Sequence, residues 1–136
     1  MLPPWQGRAA QAAVEFALVV PVFLLITAGT LEFGRGFFAY AQLLQAAQDG
    51  TRYGAVLGNP TDTAGIVQRV QQSAPGGIND AVTVICSLPT TPGVGGAPCT
   101  RGNLLTVTVQ HRQATIIPIF PLPALNEQAS ATMVIE

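Results

Sequence analysis

Few residues in this sequence could do chemistry, and only two sets sit where their surroundings would make them matter. Glu15 stands alone in an apolar run, AAVEFALVVPVFLLI, from Ala12 to Ile26. Cys86 and Cys99 flank a Gly/Pro/Thr loop, SLPTTPGVGGAP. An ionisable group in a segment able to enter lipid is a functional candidate by default, because an unpaired charge there is costly. The competing reading puts Glu15 in the headgroup region, favoured by the positive end of the helix dipole. Outside the cytoplasm, two cysteines so placed are expected to form a disulfide, with free thiols as the alternative. Closing a loop of that size adds about 3 kcal/mol by chain entropy. Two cysteines with one distant histidine, His111, fall short of the four ligands of a structural metal site. His111 lies beside Arg112 in an alternating pattern and reads as a sheet residue. The acids Asp49, Asp62, Asp80, Glu127 and Glu136 are scattered, and no Gly-x-Ser-x-Gly or P-loop pattern occurs. The stretch PGVGGAP lacks the following helix that phosphate binding needs. No catalytic residue, cofactor, metal or small-molecule substrate is therefore expected.

The elements that must hold these residues divide the chain in two. Of its 136 residues, 49% are hydrophobic and only 10% are charged, against roughly 25% in ordinary soluble domains. The net charge is −1, the cations are all arginine, and no charge run occurs. That pattern gives no basic surface for nucleic acid. Seven of the nine aromatic residues lie at or before Tyr40, whereas glycine and proline become frequent after Gly54.

From Ala9 to Leu31 the only formal charge is Glu15. As a helix this stretch covers about 34 Å, enough for a hydrocarbon core of roughly 30 Å. The uncharged part, Phe16 to Leu31, is shorter than the usual ~20 residues, so Glu15 must lie at the edge or be neutralised. Pro21 removes a backbone hydrogen bond and is expected to bend the helix. A domain this small could hardly cover such a helix on all sides, so residues 11–31 are read as a transmembrane helix in contact with membrane lipid. A cleaved secretory signal, with Arg8 before it and Thr27-Ala28-Gly29 as the cut, is the alternative. Arg8 favours an inside N-terminus, while Arg35 and Arg52 oppose it. An oxidised cysteine pair would settle the matter by placing the later domain outside the cytoplasm.

Residues 32–57 continue as an amphipathic helix. Phe33, Phe37, Tyr40, Leu44 and Ala47 form one stripe at helical spacing. That stripe either packs on the chain's own C-terminal part or offers a face to a partner helix. Phe37, Phe38 and Tyr40 suit a membrane interface. Gly34 and Gly36 loosen the helix, and Gly50 is a stop signal. Asp62 to Ser73 reads as a short helix ending before Pro75-Gly76-Gly77. Ala81–Leu88, Leu104–Gln113 and Ala129–Ile135 read as strands; the second puts Leu105, Val107 and Val109 on one face and Thr106, Thr108 and Gln110 on the other. Pro118, Pro121 and Pro123 interrupt the chain between the last two. The expected fold is α+β: a long N-terminal membrane helix running into an amphipathic helix, packed on a small antiparallel three-stranded sheet within residues 58–136.

The run AAVEFALVVPVFLLI, followed by LEFGRGFFAYAQLLQAAQDGTRYGAV, resembles the TadE-like proteins. These are minor, pilin-like components of the tight-adherence (Tad, or Flp) pilus machinery of bacteria. The resemblance covers about Arg8 to Val56; beyond it only the pattern of strands is similar. It implies a pilin-like fold in the inner membrane, a prepilin peptidase acting on the cytoplasmic side, and other pilin-like subunits as partners. It implies a leader, residues 1–10, cut so that Glu15 becomes the fifth mature residue. The bond is then Ala10–Gln11, with alanine where the family has glycine. The new α-ammonium group would pair with Glu15, within the chain or between subunits, and set the register of packed helices. Two classes of function are open: an assembly subunit of such a pilus, or a stand-alone membrane-anchored extracytoplasmic binding module.

Overall fold

The computed structural model describes residues 4–57, 59–74, 81–113 and 125–136. The expected stop at Pro75-Gly76-Gly77 and the breaks at Pro118, Pro121 and Pro123 lie outside them. The element order is α1 (Pro4–Ala55), α2 (Thr63–Ser73), β1 (Val82–Ser87), β2 (Leu104–Gln113) and β3 (Leu125–Val134). The architecture is α+β, as expected, with the apolar N-terminal helix packed on an antiparallel sheet of order β1-β2-β3.

α1 is one unbroken helix of 52 residues, about 78 Å long. It passes through Pro21, Gly34, Gly36 and Gly50 without ending. Gly50 is thus not a stop. It is a contact point: a β-carbon there would collide with the side chain of Val70 on α2. At Gly54 a β-carbon would run into Leu105 and come within 2.8 Å of Ile66. The last turns of α1 bury Leu43, Ala46, Ala47, Thr51 and Ala55. Small residues let the helix backbone lie close to its neighbours, and tertiary fit outweighs the ~1 kcal/mol that glycine costs inside a helix. Thr51 Oγ1 donates to Ala47 O at 2.6 Å and also reaches Ala131 O of β3 at 3.3 Å, so its buried hydroxyl is satisfied.

α2 begins where Asp62 caps it: the carboxylate accepts from the Gly65 N–H at 2.9 Å. Ile66 and Val70, one turn apart, are fully buried against α1. On the sheet, Leu105, Val107 and Val109 are fully buried, which is the face the alternation predicts. Each such aliphatic side chain contributes about 1.5–3 kcal/mol on burial. β3 starts at Leu125, four residues before the expected strand. Its first residues, Asn126, Glu127 and Gln128, lack an apolar signal, yet they pair with Arg112, His111 and Gln110.

Cys86, buried on β1, is disulfide-bonded to Cys99 across a separation of 13 residues, with Cα atoms 5.3 Å apart. The intervening loop turns back over the outer face of the sheet. Gly93 N–H donates to Ser87 Oγ at 3.3 Å, and Ser87 is fully buried beneath it. Left-handed backbone at Gly93 (φ 80°) and Gly96 (φ 111°) makes that turn, a conformation that side chains resist.

β3 lies alongside the second half of α1. Gly36 faces Glu127, whose Oε1 lies 3.2 Å from where a β-carbon would sit. At the other end Glu136 N–H donates to Ala55 O at 3.2 Å. About 28 Å of helix therefore runs beside about 30 Å of strand in the same sense.

Candidate functional site

The first part of α1 is the region that the fold leaves unexplained. From Ala10 to Leu31 no side chain is buried. Phe16 is 70% exposed, Phe23 64% and Ile26 65%. The most apolar 18-residue window has a mean hydropathy of 2.2, and none of it is buried. A helix that is apolar all round and packs on nothing in its own chain belongs in lipid or among other apolar helices. Its polar groups are already satisfied internally: Thr27 Oγ1 donates to Phe23 O at 2.9 Å and Thr30 Oγ1 to Ile26 O at 2.8 Å. Pro21 sits in the middle of this stretch and has no N–H to give back to the preceding turn. This is a single N-terminal membrane-spanning helix.

Glu15 lies near its start, exposed, and accepts a hydrogen bond from the Gln11 side chain at 3.3 Å. Gln11 and Glu15 thus share one face of α1, four residues apart. Ala10 and Gln11 both lie within the helix.

The helix leaves the apolar stretch at an ion pair, Glu32 with Arg35 at 3.5 Å. Arg35 is exposed and Glu32 half-buried, and the two are neighbours on one turn of the helix. The sheet first meets the helix just beyond, at Gly36. His111 and Glu127, opposite each other on β2 and β3, occupy the helix-facing side there and extend the buried Val109–Ala129 row. The Oε2 atom of Glu127 is buried without a hydrogen-bond partner among the described residues. In the sequence Glu127 is one of several scattered acids. The only clue to its position is its two-residue spacing from Ala129 and Ala131.

The aromatic stripe does not pack on the chain's own sheet. Phe33 is 78% exposed, Phe37 68% and Tyr40 44%. Of the five residues in the stripe only Leu44, half-buried, and Ala47, fully buried, touch the core. The packed face is rotated toward Leu43, Ala47, Gly50 and Gly54. Size decides this: the contact with α2 and β2 is too close for aromatic rings, and glycine and alanine fill it.

The disulfide lies in the domain after the helix. Disulfides persist in oxidising compartments, so that domain lies outside the cytoplasm and α1 anchors it in the membrane. Among the described residues no group of three His, Cys, Asp or Glu side chains could hold a metal ion. The concave surface lined by Asp49, Arg52, Tyr53, Arg69 and Ser73 carries a guanidinium over a ring, with Arg69 5.9 Å from the Tyr53 centroid. What the molecule offers is an apolar rod with one carboxylate near its start, continuous with the helix of a small domain.

No curated protein and no solved structure matches the chain. Residues 10–52, a segment that holds Glu15, Pro21 and the whole exposed rod, match the family described as TadE-like protein.

Proposed function

We propose that this chain is a minor pilin-like subunit that acts in building a Tad-type pilus from the inner membrane, in the service of adhesion or secretion. The observation that carries the reading is the exposed apolar length of α1 from Ala10 to Phe38, joined without a break to a folded domain. Such a rod suits packing against the helices of other pilin-like subunits, with Phe33, Phe37 and Tyr40 continuing the contact above the membrane.

In this reading a prepilin peptidase cuts between Ala10 and Gln11. The cut frees an α-ammonium group one helical turn from Glu15, on the same face, as the Gln11–Glu15 hydrogen bond at 3.3 Å supports. In low dielectric that pair is strong, and either charge alone is costly. The carboxylate then takes the amine of its own chain or of a neighbour, and the second option sets axial register.

Glu15→Ala tests this. The variant should insert in the membrane at the wild-type level, keep its disulfide and fail to support pili. Mass analysis of the wild-type chain should find Gln11 as the mature N-terminus. Normal piliation by Glu15→Ala would overturn the assembly role.

A further inference from the structure

The two edges of the sheet are unlike. β1 is six residues long, and its end is tied by the Cys86–Cys99 bond to a loop folded over the outer face. β3 is ten residues long and ends the sheet on the other side. Two hydrogen bonds fix which way its residues turn. Ile135 N–H donates to Asn103 O, and Gln110 N–H donates to Ala81 O on the β1 side. Backbone direction alternates along antiparallel strands. Glu127, Ala129, Ala131 and Met133 therefore turn to β2, and Asn126, Gln128, Ser130, Thr132 and Val134 turn N–H and C=O outward. No hydrogen bond among the described residues reaches those outward backbone groups. All five residues are exposed.

Sheets that stand alone blunt such edges with lysine, proline, a bulge or a short strand. β3 has none of these. Its register with β2 runs unbroken from Leu104↔Val134 to Gln113↔Leu125. Its one charge, Glu127, lies on the side of Gly36, and the outward row is Asn, Gln, Ser, Thr and Val. An uncharged row of free backbone groups recognises another backbone.

We propose that the β3 edge receives an extended segment of a neighbouring membrane-anchored subunit, paired parallel to β3. The proposal rests on the assembly role of the chain. β3 runs in the same sense as α1, and α1 crosses the membrane. A second copy of this chain anchored in the same orientation carries its own β3 upward in that sense too, so the two edges meet in parallel. Sharing one membrane also raises the effective concentration of the partner strand. The contact lies outside the lipid, on a surface separate from the rod, so the rod and the edge hold neighbours independently.

The test uses the full chain in cells that build the pilus and in detergent as a monomer. Amide exchange at Gln128, Ser130 and Thr132 should be about tenfold slower or more in the membrane assembly than in the monomer. Ala129 and Ala131, bonded to β2, should be slow in both. Ser130→Pro removes one outward N–H and leaves the β2 ladder whole. Ser130→Lys places a guarding charge beside the edge. Both should keep the disulfide and lose the slow exchange and most pili. Should Ser130→Pro disturb the monomer, Ser130→Lys alone carries the test. Equal exchange in both states, or normal pili from Ser130→Lys, overturns the edge pairing. If Glu15→Ala still abolishes pili in that case, the assembly role stands and only the edge falls.

Discussion

The half of α1 before Gly36 and the half after Leu43 bury their apolar residues in opposite ways. From Ala10 onward the first half carries large side chains, Phe, Leu, Ile and Val, on every side and buries none of them within its own chain. The second carries Ala, Gly and Thr on one face and presses that face onto α2 and the sheet. Composition is apolar in both. Bulk is what differs: large side chains hold neighbours at a distance and suit lipid or a partner helix, while small ones admit close backbones. One continuous helix can thus be an anchor at one end and the spine of a domain at the other.

The largest expected effect comes from emptying the core over the second half. Leu105 is fully buried and touches α1 at Gly54. Leu105→Ala should destabilise the domain by about 2–5 kcal/mol. Phe23→Ala, in the first half, should leave domain stability unchanged. Urea melts of both variants in detergent, tracking the signal of the sheet, would measure the contrast. Equal losses would mean that the anchor and the domain fold as one unit.

A glycine pair sharpens the comparison further. At Gly29 a β-carbon would meet nothing within 4 Å, whereas at Gly54 it would strike Leu105 and Ile66. Gly54→Ala should cost about 1–3 kcal/mol through overpacking. Gly29→Ala should be neutral or gain up to about 1 kcal/mol from helix propensity. The same chemical change thus costs stability on one part of the helix and none on the other. A Gly54→Ala variant as stable as wild type would mean that α1 and β2 leave room between them for a methyl group.

The parts of the fold that are legible in the sequence are those with a strong period. β2 is legible to the residue because one face is apolar and the other polar, so Leu105, Val107 and Val109 alternate with Thr106 and Thr108. The helix α2 is legible from its cap, Asp62, and from the spacing of Ile66 and Val70. Two features are not. The start of β3 is polar on both faces, because its helix-facing side is Glu127 at the exit of the membrane helix rather than a core aliphatic residue. The packed face of α1 is hidden from hydrophobicity, which ranks phenylalanine above alanine, while packing there is ruled by size. The candidate site is legible in part. Glu15 stands out as the lone charge of the rod, but its exposure and its contact with Gln11 need coordinates, and no period marks a strand edge as open.

The smallest expected effect bears most directly on the aromatic stripe. Phe33 and Phe37 are 78% and 68% exposed, so trimming them removes little that is buried in the single chain. Phe33→Ala and Phe37→Ala should each change domain stability by less than about 0.5 kcal/mol in detergent. If these rings pack against a partner helix, the same variants should reduce pilus number, because an aromatic side chain placed between helices contributes only once the neighbour is present. Melting and pilus counts on one pair of variants therefore separate the two surfaces of α1. A marked loss of stability in the isolated chain would return the stripe to the chain's own sheet. An unchanged melt with unchanged pili would leave the rings to the membrane interface.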